Sequence, residues 1–305
     1  MSNKLIFIRH GVRGIKQIGN TLPDCLPFYN MDRNLSLFGH VYSYKQGQFI
    51  KDNFGQSDFI YGDITDERTI ATAIAIAKGN NKERIWLYQG IKDPYFKHRH
   101  NVTAKSLKLS RRILRDNQNL IQEIGKAVKK KLPCIDLSQT SHINENGKTE
   151  GLIDQLGTLA QVATFSILSK IKTPLIKINQ LIQEAYTINY LIENPIVETI
   201  QEAAENLLNG IFFLLSNNQL SILIGHNTNI SSISQYLNLP YQVDNHCEFY
   251  IPPNSGFIFT MEQTFITIEK LYINMDGEFQ IMKYMILPLP KNIVDPEWDL
   301  ISRLV

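Results

Sequence analysis

Two histidines of this sequence stand directly after apolar runs that are typical of buried β-strands. His10 follows the run at residues 5–8, and His226 follows the run at residues 220–224. A glycine lies beside each histidine and allows the backbone to turn sharply. Parallel strands end at one edge of a sheet, and α/β proteins form their sites at such edges. Two neighbouring strands would therefore bring the two imidazoles together.

Three arginines accompany these histidines. Arg9 and Arg13 lie on either side of the first histidine, and Arg68 follows a second predicted strand at residues 59–61. Guanidinium groups match the oxygens of a phosphate in both geometry and charge. Either histidine motif alone is common by chance and fits an ordinary surface or half-buried histidine. The combination of imidazoles and guanidinium groups, however, predicts a pocket for a phosphoryl dianion.

Alternating strand and helix patterns follow the first strand and would position these side chains. The predicted order is a helix at residues 35–53, a strand at 59–61, a helix at 69–78 and a strand at 85–88. Ser36 is a candidate N-cap for the first helix. Strands that alternate with helices within ninety residues predict a doubly wound α/β sheet.

The middle of the chain has a different, helical pattern. Residues 97–216 contain no obvious strand. Strand patterns resume at residues 220–224, 256–260, 265–273 and 279–285. The sequence therefore predicts one α/β core made of residues 1–96 and 217–305, with a helical cap inserted at residues 97–216.

Composition limits the class of protein. The chain has 305 residues, of which 43% are hydrophobic, so it can bury a large core and is not disordered. No apolar run approaches the roughly 18 residues that are needed to span a bilayer. The net charge of +2 would argue against a polyanionic partner, but residues 97–131 hold eleven basic and two acidic residues, a net charge of +9.

Cysteine usage bears on the cellular compartment. Cys25, Cys134 and Cys247 are widely spaced and odd in number, which predicts neither a zinc site nor a complete disulfide framework. The sequence therefore favours inert thiols in a reducing interior, and with no leader pattern before Leu5 it favours a cytoplasmic protein. A secreted or periplasmic protein whose leader has been removed is the alternative.

Six short motifs within residues 4–260 resemble, in the same order, those of the histidine acid phosphatases, the branch of the histidine phosphatase superfamily that includes phytases. They are Arg9-His-Gly-Val-Arg13, Leu35-Ser-Leu-Phe-Gly39, Asp66-Glu-Arg-Thr69, Asp93-Pro-Tyr-Phe96, Gly225-His-Asn-Thr-Asn229 and Pro252-Pro-Asn-Ser-Gly256. The resemblance implies a phosphoglycerate-mutase-like fold, a three-layer α/β sandwich with the helical cap inserted in its core.

The same resemblance implies a role for each site residue in a phosphomonoester hydrolase. His10 would attack phosphorus through a ring nitrogen and form a phosphohistidine. Arg9, Arg13 and Arg68 would hold the equatorial oxygens of the phosphoryl group, and His226 would donate a further hydrogen bond. No metal and no other cofactor is implied, because the arginines neutralise the phosphate charge.

One position departs from the family pattern in a way that matters for the chemistry. Asn227 stands where the relatives have the aspartate that protonates the leaving oxygen, and an amide cannot supply that proton. Asp66, Glu67 and Glu248 are candidate replacements. The other hypotheses are an engineered substitution, a preference for activated phosphates, and a degenerate protein that only binds phosphorylated ligands. The intact arginines and histidines favour an enzyme.

The basic segment at residues 97–131 would, by resemblance, begin the cap over the pocket. It could steer polyphosphorylated substrates such as inositol phosphates, or contact an anionic membrane surface. A solvated helix face is the simpler interpretation. A nucleic-acid partner is disfavoured, because the segment lacks interleaved aromatic residues and any known motif. A phosphoglycerate-mutase-like phosphotransferase is a further alternative, and no oligomeric state is indicated.

Overall fold

A computed structural model describes residues 2–13, 34–89, 102–170, 172, 174–194, 197–241, 250–274, 276–293 and 299–305. Within these residues the helices are α1 (Leu37–Phe54), α2 (Glu67–Gly79), α3 (Ala104–Lys129), α4 (Leu152–Leu168), a 3-10 helix (Pro174–Ile178), α5 (Asn179–Glu193), α6 (Val197–Asn217) and α7 (Asn227–Tyr236). The strands are β1 (Asn3–Arg9), β2 (Phe59–Asp63), β3 (Arg84–Gln89), β4 (His142–Ile143), β5 (Thr149–Glu150), β6 (Leu220–Gly225), β7 (Gly256–Met261), β8 (Phe265–Ile273), β9 (Phe279–Pro288) and β10 (Asp299–Leu304).

Eight of the strands form one mixed sheet in the order β10-β3-β2-β6-β1-β7-β8-β9. The central strand β1 runs parallel to β6 and antiparallel to β7. The register of β1 and β6 places Arg9 opposite Gly225, so the two strands end together. This pairing confirms the prediction that the two histidine motifs follow neighbouring parallel strands.

Helices cover both faces of the sheet. Leu5 and Phe7 of β1 pack with apolar side chains of α6 and α7, whereas Ile6 and Ile8 pack with those of α1 and α2. Because both faces are buried, the strand needs apolar residues at consecutive positions rather than at alternate ones. The predicted three-layer α/β sandwich is confirmed.

The helices α3, α4 and α5 share a separate apolar cluster, which includes Leu114, Leu156 and Ile182. Polar side chains join this cap to the core, since Tyr190 Oη on α5 donates to Ser231 Oγ on α7 at 2.9 Å. Helix α6 packs against the sheet instead of the cap cluster, for example through Leu207. The boundaries that the sequence predicts for the cap remain a prediction.

One helix cap agrees with the sequence prediction, whereas three short or distant strands were not predicted. Ser36 caps α1 as predicted, because its side chain accepts a hydrogen bond from the backbone N–H of Gly39. The short hairpin of β4 and β5 interrupts a region without obvious strands, and β10 was not predicted because it pairs far along the sequence with β3. No helix in the described ranges combines the length and apolarity that a bilayer span requires.

The expectation of inert thiols is wrong for Cys134, which is half-buried and disulfide-bonded in the structure. Spacing along the sequence could not reveal this bond, because disulfide formation depends on distances in the folded chain. Cys25 and Cys247 lie outside the described residues.

Gly39 allows helix α1 to approach the loop that follows His10. A Cβ atom at this position would lie 2.2 Å from the carbonyl oxygen of Val12 and 2.7 Å from Leu35 Cδ1. Gly39→Ala should therefore destabilise the protein by about 1–3 kcal/mol, although alanine is the better helix former. Urea unfolding measures the change.

Gly125→Ala in α3 is the matched control for this prediction. The atoms nearest to its Cβ would be the methyl ends of Leu137 and Leu152, which can move. A Gly39→Ala variant that is as stable as the parent protein would contradict the close approach.

Candidate active site

His10 is buried at the end of β1 and is held through both its backbone and its side chain. Its backbone N–H donates to the carbonyl oxygen of Gly225 at 2.9 Å, and Nδ1 lies 2.8 Å from the carbonyl oxygen of Gly11. A carbonyl oxygen can only accept, so Nδ1 carries the proton and donates. In the neutral ring, this tautomer leaves the lone pair on Nε2 available for attack on an electrophile.

The surroundings of His10 keep its imidazole neutral. Burial lowers the pKa of His10 well below its ordinary value, and the positive charges of Arg68 and Arg9 lower it further. His226 and Arg13 act in the same direction. The imidazole is therefore unprotonated at neutral pH.

Arg9 is buried beneath the cap and is oriented by aromatic rings. Its guanidinium carbon lies 5.0 Å from the ring centroid of Tyr250 and 5.8 Å from that of Phe165 on α4, both within cation–π range. Nη1 donates to the carbonyl oxygen of Ile251 at 2.5 Å. Among the described residues, the buried Nε makes no hydrogen bond, so this donor is suited to an oxygen of a bound anion.

The loop that carries Arg13 is attached to two helices. The backbone N–H of Gly11 donates to Thr72 Oγ1 of α2 at 3.0 Å, and Arg13 forms an isolated β-bridge with Leu35 just before α1. Asn254 supports the same loop from behind, because its side chain donates to Ser43 Oγ and its backbone N–H donates to the carbonyl oxygen of Arg9. The conformation of the loop is therefore held by contacts with α2, with the segment before α1 and with Asn254.

Arg68 lies in the first turn of α2 and forms a bidentate ion pair with Asp66, the N-cap residue of that helix. Burial would raise the pKa of Asp66, but the hydrogen bonds and the charge of Arg68 outweigh it and hold this pKa below its ordinary value. The carboxylate of Asp66 therefore stays ionised. This argues against Asp66 as the missing proton donor, and Glu67 is exposed to solvent.

His226 faces His10 across the sheet edge. The two ring centroids are 5.4 Å apart, and the rings meet edge to face. His226 Nε2 lies 3.7 Å from Asp63 Oδ2 and 3.9 Å from Asp66 Oδ2. Burial lowers the pKa of His226, and the neighbouring carboxylates only partly offset this effect.

Asp63 is a site residue that the sequence reasoning did not select. Burial would raise its pKa, but the nearby imidazole of His226 and hydrogen bonds from Thr65 bring it below the ordinary value. Its position at the end of β2, next to β6 in the sheet, was the available clue. Asp63 is therefore an ionised carboxylate close to the imidazole of His226.

Asn227 is the first residue of α7, and both polar atoms of its side-chain amide form hydrogen bonds. Oδ1 accepts from the backbone N–H of Ile251 at 2.8 Å, and Nδ2 donates to Tyr186 Oη on α5 at 3.3 Å. Tyr186 in turn meets the ring of Tyr250 edge to face, with centroids 5.0 Å apart. Sequence reasoning missed these two tyrosines, because neither lies within a recognised motif.

The exposed face of α3 carries several of the predicted basic residues, whereas Lys97 and Arg99 lie outside the described residues. Lys105, Lys108, Arg111, Arg112 and Arg115 line a groove of about 510 Å³ together with Ala104 and Leu109. Asp116 lies 3.6 Å from Arg112 and 3.7 Å from Arg115, but these exposed pairs are weak.

The structure thus brings the candidate site residues together at one edge of the sheet. These residues are Arg9, His10, Arg13, Arg68, His226 and Asn227. Their chemical roles remain predictions. Glu248 and the motif Asp93-Pro-Tyr-Phe96 lie outside the described residues.

The low pKa of His10 can be measured by NMR. In the phosphate-free protein, the ring resonance of His10, identified by its loss in His10→Asn, should titrate well below the ordinary value of about 6.5. Arg68→Gln removes a neighbouring positive charge and should move the midpoint upward. A midpoint at or above the ordinary value in the parent protein would contradict the burial and charge argument.

Comparison with protein-family models and with curated protein sequences finds no match. Solved structures do match. The phytase of Hafnia alvei in complex with tartrate has a TM-score of 0.70 at 17% identity over 94% of this chain and 93% of that one. The phytase of Klebsiella sp. ASR1 has a TM-score of 0.72 at 17% identity over 93% and 88%. The phytase of Citrobacter braakii has a TM-score of 0.74 at 13% identity over 94% of each chain. The chain therefore shares its fold with these phytases along nearly its whole length.

Proposed function

We propose that this protein is a phosphomonoester hydrolase that works through a phosphohistidine at His10. The observation that carries the proposal is the buried imidazole of His10. Its Nδ1 is hydrogen-bonded to a carbonyl oxygen, and its pKa is lowered by burial and by nearby guanidinium groups. A neutral nucleophile among fixed positive charges is what attack on a phosphate dianion requires. The fold shared with phytases supports the proposal.

In the first step, His10 Nε2 attacks phosphorus and the bond to the ester oxygen breaks. Arg9, Arg13 and Arg68 hold the three equatorial oxygens, where charge is spread in the transition state. His226, which faces His10, donates a further hydrogen bond to the phosphoryl group. Water then attacks the phosphohistidine, which releases orthophosphate and restores the imidazole.

Arg9 is prepared for this role before any substrate binds. Two aromatic rings and one carbonyl oxygen fix its guanidinium group, so little side-chain freedom is lost when a phosphate arrives. Positioned donors of this kind typically contribute about 10²–10³ in rate.

The substrate class that we propose is a polyphosphorylated small molecule such as an inositol phosphate. Two observations support it: the solved relatives are phytases, one of them bound to myo-inositol hexakis sulphate, and five basic side chains line the groove along α3. Fixed positive charge raises the local concentration of a polyanion. The same face would attract an anionic membrane surface, and that contact remains a prediction.

We also propose that the protein works in an oxidising compartment, as the secreted or periplasmic alternative requires. The support is the disulfide at Cys134, since disulfides persist in such compartments and are rare in the cytosol.

Replacing the nucleophile tests the proposed reaction directly. His10→Ala should abolish the release of phosphate from 4-nitrophenyl phosphate, because no other group can form the phosphohistidine. His142→Ala, at an exposed histidine, is the control and should leave the rate unchanged. Residual activity of His10→Ala at the parental level would rule out this nucleophile. A parent protein that binds phosphate but releases none would favour a ligand-binding function.

Removing the positive charge of the groove tests the substrate class. The fourfold variant Lys105→Gln, Lys108→Gln, Arg112→Gln, Arg115→Gln should raise KM for myo-inositol hexakisphosphate roughly tenfold at low salt. KM for 4-nitrophenyl phosphate should change little, and high salt should reduce the difference.

The matched control for this variant removes four charges from the other end of the same segment, at Lys126, Lys129, Lys130 and Lys131. An equal rise in KM for both fourfold variants would show that overall charge, and not the groove, attracts the substrate.

A further inference from the structure

The proposed reaction needs a proton for the leaving oxygen, and the described residues nearest to the two histidines do not provide one. The amide of Asn227 has no acidic proton, while ion pairing and hydrogen bonds hold the pKa of Asp66 and of Asp63 below the ordinary value. Both carboxylates are therefore ionised when the substrate binds. A donor has to come from another part of the structure.

We propose that Tyr186, which the cap helix α5 contributes and Asn227 positions, is the general acid that protonates the leaving oxygen. This inference rests on the proposed phosphatase function and names a catalytic residue for it. Tyrosine is among the side chains that act as general acids.

The hydrogen bonds of Asn227 orient the phenol. Oδ1 accepts from the backbone N–H of Ile251, which fixes the amide so that Nδ2 faces Tyr186. Since Nδ2 donates, Tyr186 Oη is the acceptor in this contact. The O–H of Tyr186 is therefore directed to an acceptor other than Asn227.

Two routes of contact connect Tyr186 to Arg9, which would hold the phosphoryl group. The backbone of Ile251 donates to Asn227 through its N–H and accepts from Arg9 through its carbonyl oxygen, so one residue links the amide to the first arginine. In the second route, the ring of Tyr250 contacts both the guanidinium group of Arg9 and the ring edge of Tyr186.

The direction of attack agrees with this placement. His10 approaches from the sheet, and phosphoryl transfer requires the leaving oxygen to lie roughly in line on the opposite side of phosphorus. The cap, which carries Tyr186, lies over the arginine that borders the pocket. In the proposed reaction, the in-line leaving oxygen would face the cap side.

The proton balance closes over two steps. While the bond from His10 Nε2 to phosphorus forms and the ester bond breaks, the phenol proton moves to the leaving oxygen, which departs as an alcohol and leaves a phenolate. Water then attacks phosphorus and gives a proton to the phenolate. The phosphorus–nitrogen bond breaks, and orthophosphate and the phenol are restored.

The test compares leaving groups in Tyr186→Phe. For glycerol 2-phosphate, kcat/KM should fall about 100-fold or more, whereas for 4-nitrophenyl phosphate, whose leaving group needs no proton, it should stay within about threefold. Tyr190→Phe is the matched control, one turn along the same helix, where the hydroxyl bonds Ser231 and Gln235 instead. This control should change kcat/KM for both substrates by the same factor.

A second variant separates a chemical role from a structural one. Adding Asn227→Asp to Tyr186→Phe places a carboxyl group beside the missing hydroxyl and should restore much of the lost rate on glycerol 2-phosphate. The assignment would be overturned if Tyr186→Phe lowered kcat/KM equally for both substrates or did not lower it. It would also be overturned if Tyr250→Phe, and not Tyr186→Phe, showed the selective loss. A parent protein that hydrolyses neither substrate would overturn the proposed function itself, whereas normal parental rates with an unaffected Tyr186→Phe would overturn only this inference.

Discussion

The parallel pairing of β1 with β6 is the constraint on which the rest of the site depends. Its register sets Arg9 opposite Gly225, and the backbone of His10 completes the ladder by donating to the carbonyl oxygen of Gly225. A slip of one residue would turn the side chains of a strand to the other face. A side chain at position 225 would meet the ring of Phe7 at 2.7 Å, so only glycine allows this approach. The two imidazoles therefore meet at the same edge of the sheet.

The pairing also concentrates positive charge in a buried place, which is unfavourable unless other groups compensate. The structure supplies three kinds of compensation. Asp66 pairs with Arg68, aromatic rings of the cap and core lie against Arg9, and both histidines remain neutral because burial lowers their pKa. Under the proposed function, a phosphoryl dianion supplies the rest of the compensating charge. The same forces that keep the nucleophile unprotonated would therefore hold its substrate.

The cap is connected to this edge through helix α7. Tyr190 bonds to side chains in the middle of α7, and Tyr186 bonds to Asn227 at its first residue, immediately after His226. A position that holds a catalytic carboxyl group in the resembling family is thus occupied here by an amide that joins cap and core. In the proposed mechanism, the proton donor has moved from the core to the inserted helices, so the cap would take part in the chemistry as well as in substrate selection.

The sequence by itself determined the sheet core and most of the candidate site. Consecutive apolar residues identified β1 and β6, and the polar residues that follow them identified His10, His226 and Arg9, because both signals are local in the chain. The tertiary structure showed that the side chain of Asp66 is bound to Arg68, a local pairing that the motif alone does not specify. Only the tertiary structure placed Asp63 beside His226, since this contact depends on strand order. The same holds for Tyr186, Tyr250 and the disulfide at Cys134. The partners of these last residues are distant in the sequence. Contacts of this kind produce no periodicity and no motif, so they could not be predicted from the sequence.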